Sequence, residues 1–201
     1  MHTSTESRRS RLGAWARDQW DSFVGPENSA GENAVTLACA TLGSLISVEV
    51  ARGRAVDGRR QAAIALMSLD LWGGAAANNT RSCARWYERP GQGLAPHLGF
   101  AAAHLNPFLV AWIDRPTRPA SRRRWALTHY GYLLLATWVV RRLAERHRRL
   151  AGLLATAGGI VLDRAISPSP AAPWFAPVFY VKLLLGHASA ALWSDTQLRI
   201  G

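Results

Sequence analysis

The sequence predicts an all-α fold, a polytopic membrane bundle of about five to six transmembrane helices preceded by an interfacial helix. Three observations lead there. Six long apolar stretches are separated by short basic connectors, tryptophans stand at the ends of those stretches, and small residues recur within them. A mean hydropathy near zero does not argue against this, because basic connectors cancel apolar segments in the average.

Residues 1–33 form a polar N-terminal segment and residues 34–201 the bundle. The first ten or so read as disordered. RLGAWARDQWDSFVG then sets Trp15, Trp20 and Phe23 among charges, as a short helix lying at the headgroup level does. GPENSAGEN breaks that helix. Without an apolar core in these residues, no signal peptide is expected.

The six apolar stretches are Ala34 to Ala51, Ala62 to Asn79, Leu94 to Ile113, Trp125 to Val140, Leu150 to Leu162 and Pro173 to Trp193. A helix rises about 1.5 Å per residue, so roughly 20 residues cross the hydrocarbon. The first, third and sixth meet that length, and the second and fourth meet it with tilt. The fifth is short unless it recruits Ala165 and Ile166. Trp112, Trp125, Trp174 and Trp193 mark segment ends, where an amphipathic ring suits the membrane boundary. Gly43 and Ser47, Gly73 and Gly74, and Gly158 and Gly159 allow close helix approach.

Lys and Arg total 24 against 13 Asp and Glu, and Lys182 is the one basic residue that is not arginine. The arginines punctuate the connectors: Arg52 and Arg54, Arg122 to Arg124, Arg141 and Arg142, Arg148 and Arg149. A nucleic-acid binder gathers its charge on one face beside base-reading side chains. The expected partners are therefore membrane lipids, with no nucleic acid, and the expected location is a cell membrane crossed several times. A small bundle of this size is also a candidate homo-oligomer. Cys39 and Cys83 have no paired spacing, so neither a disulfide framework nor a zinc site is expected.

Ionisable groups at membrane depth are the functional candidates. Asp70 lies in mid-segment, followed by Trp72, the two glycines, Asn78 and Asn79. Asp70, Gly74 and Asn78 share a helix face. His97 and His104, seven residues apart, share a stripe about 10 Å apart along the axis, too far to grip one metal ion. Pro107 frees a backbone carbonyl near Ala103. His129 and His187 add imidazoles, and Lys182 stands five residues before His187. Asp70 is expected to pair with His97, His104 or Lys182, or to act chemically. Glu49 with Arg52, Asp114 with Arg115 and Asp163 with Arg164 read as interfacial ion pairs. The connector carrying Trp86 and Tyr87 reads as an interfacial anchor or a lid.

Histidine boxes, aspartate-rich magnesium motifs, phosphate-cradling glycine loops and a GxSxG elbow are absent. No metal and no cofactor are expected. The stretches LDLWGGAAANNT, RWYERPG and HLGF…HLNPFLVAW resemble small bacterial multi-span proteins without an assigned activity. In size, helix number and tryptophan content the chain is similar to the transmembrane terpene cyclases of natural-product pathways, although no catalytic motif of that family aligns.

These residues lead to an expected enzyme acting by acid/base chemistry, a cyclisation or isomerisation, on a lipophilic substrate of isoprenoid or polyketide type. Asp70 is the expected acid or base, since an apolar cavity raises a carboxyl pKa and keeps it protonated at neutral pH. His104 and His97 would exchange its proton. Trp72, Trp86, Trp112, Asn78, Asn79, His129 and His187 are the expected substrate contacts, the tryptophans through their π-faces. The alternatives are a proton-coupled transporter, a b-type cytochrome with histidine axial ligands, and a non-catalytic assembly protein.

Overall fold

The computed structural model describes residues 3–114 and 119–198, and every regular element in them is helical. All six apolar stretches are helical. α1 (Thr3–Val24) is longer than the expected interfacial helix, because residues 3–10, read as disordered, continue it. Trp20 ties it to the next element by donating from Nε1 to Asn33 Oδ1 at 2.7 Å.

α2 (Ala30–Arg52) begins with a capping box, Ser29 Oγ accepting from the Glu32 amide and Glu32 returning to the Ser29 amide. α3 (Gly58–Ala77) starts at Asp57, whose side chain accepts from the Arg60 amide. The two form an antiparallel hairpin. Its seam is narrow because Gly43 receives the Trp72 ring, and Ser44 Oγ reaches the Ala65 carbonyl at 3.0 Å. The expected small-residue contacts are therefore real at this seam. Glu49 and Arg52 form the expected exposed ion pair at 3.1 Å.

α4 (Arg81–Glu88), capped by Thr80, is the connector that carries Trp86 and Tyr87. The expected third span is not one helix. α5 (Leu94–Ala103) and α6 (Asn106–Asp114) are separated at His104 and Leu105, one turn before Pro107 in its effect on the backbone. α7 (Pro119–Arg142) and α8 (Glu145–Ala165) follow as long helices, and α8 does recruit Ala165 beyond the fifth apolar stretch. α9 (Phe175–Tyr180) runs directly into a π-helix, Val181–Ala188. α10 (Asp195–Leu198) ends the described chain.

The core gathers around α9 and the π-helix, with α3, α5, α7 and α8 arranged about them. Among the described residues, α2 is the one helix that is both long enough and apolar enough to cross a membrane. α3, α7 and α8 have the length, at 20, 24 and 21 residues, but carry more polar groups, and α9 with the π-helix is shorter. Large apolar side chains are exposed on the outer faces of α2 (Leu42, Leu45, Ile46), α3 (Leu66), α7 (Leu135) and α8 (Leu154, Val161). Inside, by contrast, lie Ser47, Ser68, His97, Arg122, His129, Thr137, Asp163 and Lys182.

Candidate functional site

The π-helix explains how the central site is assembled. Its backbone bonds run from i to i+5, so residues five apart stack on one face. Lys182 and His187 have that spacing. In an α-helix the same two side chains would diverge by well over a quarter turn. Here both are buried, Lys182 against Asp70 and Gly74 of α3 and His187 against Tyr87 of α4 and His97 and Phe100 of α5.

Lys182 Nζ donates to Asp70 Oδ1 at 2.7 Å and approaches the Asp70 carbonyl at 3.4 Å. Gly74 makes this possible, since a Cβ there would sit 2.5 Å from Lys182 Cε. Asn78 Nδ2 donates to the Lys182 carbonyl at 3.1 Å, and Asn79 Nδ2 to that of Val181 at 3.1 Å. The expected face of Asp70, Gly74 and Asn78 thus exists and faces the π-helix. The pair is asymmetric: the Lys182 side chain is 1% exposed and that of Asp70 45%. Asp70 is therefore not the isolated carboxyl in an apolar cavity that the sequence suggested. Its partner is Lys182, not a histidine.

His104 caps the end of α5, with Nδ1 on the Phe100 carbonyl at 2.7 Å, within electrostatic reach of Lys182 and Asp70. Phe100 joins it to a buried aromatic stack. Phe100 lies 4.6 Å from the His104 ring and 3.9 Å from His187, and His187 lies 4.6 Å from His97 and 4.2 Å from Tyr87. His97 Nδ1 donates to the Gly93 carbonyl at 2.9 Å. Its Nε2 and both ring nitrogens of His187 are buried without a well-formed hydrogen bond. The His97 and His187 rings are too close to clamp a flat porphyrin between them as axial ligands. Among the described residues, no three His, Cys, Asp or Glu side chains converge as a metal set. Burial pushes the Cys83 thiol, beside Tyr87, up to about 12.

A second polar group lies deeper. Tyr180 Oη and His129 Nδ1 are 2.6 Å apart, His129 Nε2 lies 3.1 Å from Asp163 Oδ1, and Trp125 Nε1 donates to the same oxygen at 3.1 Å. Asp163 accordingly points inward to His129 and not to Arg164, the expected partner. Asp114 likewise pairs inward, with Arg122 at 3.4 Å, while its expected partner Arg115 lies outside the described residues. Asp163 sits on the core side of α8, and helix neighbours one residue apart such as Arg164 do not share its face.

The three tryptophans expected around a substrate do not surround one space. Trp72 fills the α2–α3 seam and bonds Ser47 Oγ at 3.2 Å. Trp86 lies under the Arg89 guanidinium, and Trp112, 41% exposed, faces Arg60 at 5.0 Å. Asn78 and Asn79 hold π-helix carbonyls. His129 belongs to the deeper group. Asp70, His104, His97 and His187, all singled out in the sequence, lie along one seam; Tyr87, read as part of an anchor or lid, packs within it, and Phe100 and the Tyr180–His129–Asp163 cluster were missed. Lys182 was legible only as one of several partners. The signal that would have singled it out is its five-residue spacing from His187, which matters only in a π-helix.

In comparisons with known proteins, no family model matches the chain, no curated protein is significantly similar to it, and no solved structure matches its fold.

Proposed function

We propose that the chain is a multi-pass membrane protein that performs cofactor-free acid/base chemistry on a lipophilic substrate at Asp70, Lys182 and His104. The observation that carries the chemical reading is the Asp70–Lys182 pair, delivered by a π-helix to the middle of α3 and left open on the Asp70 side. π-Helical turns occur frequently at functional sites. The membrane reading is supported by large apolar side chains exposed on the outer faces of α2, α3, α7 and α8, while charged groups such as Arg122, Asp163 and Lys182 are buried within the apolar core.

In this reading a cyclisation or isomerisation proceeds with no net proton change. Asp70 removes a proton from one position of the substrate and returns it at another, and His104, whose Nδ1 donates to the Phe100 carbonyl, offers its Nε2 lone pair to hold that proton in transit. Lys182 is a positioning residue that orients the carboxylate and offsets negative charge developing nearby. The edge of the seam at Phe100 offers an apolar, aromatic contact for an isoprenoid or polyketide chain. The partners are this substrate and the surrounding lipid, and two copies of the chain can meet along the exposed leucine faces.

The test uses full-length protein purified in detergent and incubated with a lipid extract of its host, with products followed by mass spectrometry. Wild type is expected to convert a lipophile into an isomer of equal mass. Asp70→Asn/Lys182→Met, which removes both charges together, is expected to lower that rate by at least about 10²-fold. Turnover at the wild-type rate in the double variant would sink the reading.

A proton-coupled transporter is the second reading, favoured by the continuous Tyr180–His129–Asp163 chain. Flux of a solute into proteoliposomes, without chemical change to it, would select this reading over the enzyme.

A further inference from the structure

A cavity of about 500 Å³ opens at the end of the bundle where α4, the start of α8 and α10 meet, and shares no lining residue with the Asp70 seam. Arg85, Arg89, Arg148 and Arg149 line it, with Trp193 and Leu198 supplying an apolar wall. Three of these guanidiniums are anchored in the same way. Arg85 Nε donates to the Gln197 carbonyl at 3.2 Å, Arg148 Nε to Leu143 at 3.2 Å and Arg149 Nε to Ala191 at 3.2 Å. Arg85 Nη1 is taken by Glu27 at 3.0 Å and Arg148 Nη1 lies 3.7 Å from Glu88, so what stays open with Nε fixed to backbone is Nη2 of these two and the whole Nη edge of Arg149. That is the edge with which arginine binds a phosphoryl group bidentately. Because the forks are already held, little side-chain freedom is left to lose on binding.

Three carboxylates also line the cavity, and they bear on its charge. Glu88 is engaged twice, by Arg141 and by Arg148 at 3.7 Å. Glu145 and Asp195 are the first residues of α8 and α10, where a carboxylate is favoured by the helix dipole. The four lining arginines with Arg141 behind Glu88 are five cations against four acids, Glu27 on Arg85 included, which leaves the cavity cationic by one charge. α8 adds to this, since its cap residue Ala144 offers no side-chain acceptor and its first amides face the same end.

We infer that this cavity is a binding site for a phosphoryl group, carried either by a phospholipid headgroup or by a free phosphate ester. The inference is independent of the chemistry at Asp70, since the two sites share no residue.

The full-length protein in detergent is titrated with phosphatidylglycerol and, separately, with phosphate-free diacylglycerol, and bound lipid is counted by native mass spectrometry. Phosphatidylglycerol is expected to bind and diacylglycerol not. Arg148→Gln/Arg149→Gln is expected to weaken phosphatidylglycerol binding at least tenfold. Arg89→Gln, whose guanidinium rests on Trp86 of its own helix, tests the same cavity without disturbing Glu88 and is expected to weaken binding several-fold. Arg52→Gln, at the opposite end, should leave it unchanged. Displacement of the lipid by millimolar inorganic phosphate supports the site with a free phosphate ester as ligand, and failure to displace supports a lipid headgroup. Equal binding of diacylglycerol, binding by the double variant within twofold of wild type, or an equal loss in Arg52→Gln overturns the inference.

Discussion

At the residue scale the Asp70–Lys182 pair is governed by its asymmetry. Lys182 is enclosed by α3 and the π-helix, whereas nearly half of the Asp70 side chain reaches the surroundings. Removing one partner of an ion pair is expensive mainly when the survivor stays buried. Asp70→Asn is therefore expected to be the more damaging single change, by about 3 kcal/mol, because it strands the Lys182 ammonium. Lys182→Met keeps the stem volume and leaves the remaining charge at the surface of the bundle and not in its interior, so a smaller loss is expected. The double variant should recover most of the loss. Chemical unfolding of the four proteins in one detergent checks this cycle, and equal effects of the two single variants would refute the asymmetry.

At the element scale two helices are irregular, and each irregularity serves the site. The break at His104 and Leu105 ends α5 so that His104 caps it and lies near Lys182. The π-helix turns Lys182 and His187 to one side. The α2–α3 hairpin is regular by contrast, and its closeness depends on glycine. A Cβ at Gly43 would overlap the Trp72 ring, which is already held by Ser47 on one side and Trp174 on the other. Gly43→Leu is expected to destabilise the fold by about 1–3 kcal/mol through overpacking. A melting temperature equal to that of wild type would show that the hairpin can separate.

At the scale of the whole molecule, the distribution of leucine distinguishes an embedded bundle from a soluble one. Leu66 on α3 is 71% exposed. On a water-facing surface Leu66→Asp is nearly neutral, within about 0.5 kcal/mol. In mid-bilayer an aspartate at a helix centre disfavours insertion by about 2.5–3.5 kcal/mol. Leu66→Asp is therefore expected to shift the chain from the membrane fraction toward aggregation or degradation. Undiminished yield of the variant, extracted from membranes as wild type is, would contradict the embedded reading.

The sequence by itself determined that the fold is helical and that its apolar stretches lie in helices, because apolar runs act over a few residues, but not that residues 3–10 extend α1, that the third stretch breaks or that the sixth turns π-helical. It also determined that Asp70, Gly74 and Asn78 share a face, which follows from helix periodicity alone. Which groups meet across helices was decided by tertiary structure. Asp163 has Arg164 beside it in the chain, yet it turns to His129, since adjacent helical residues point apart. Lys182 finds Asp70 because Gly74 vacates the space between them and a π-helix changes the angular spacing of the segment. Neither condition is local to Lys182. The backbone register of the segment and the shape of its neighbour had to be known together before the pair could be recognised.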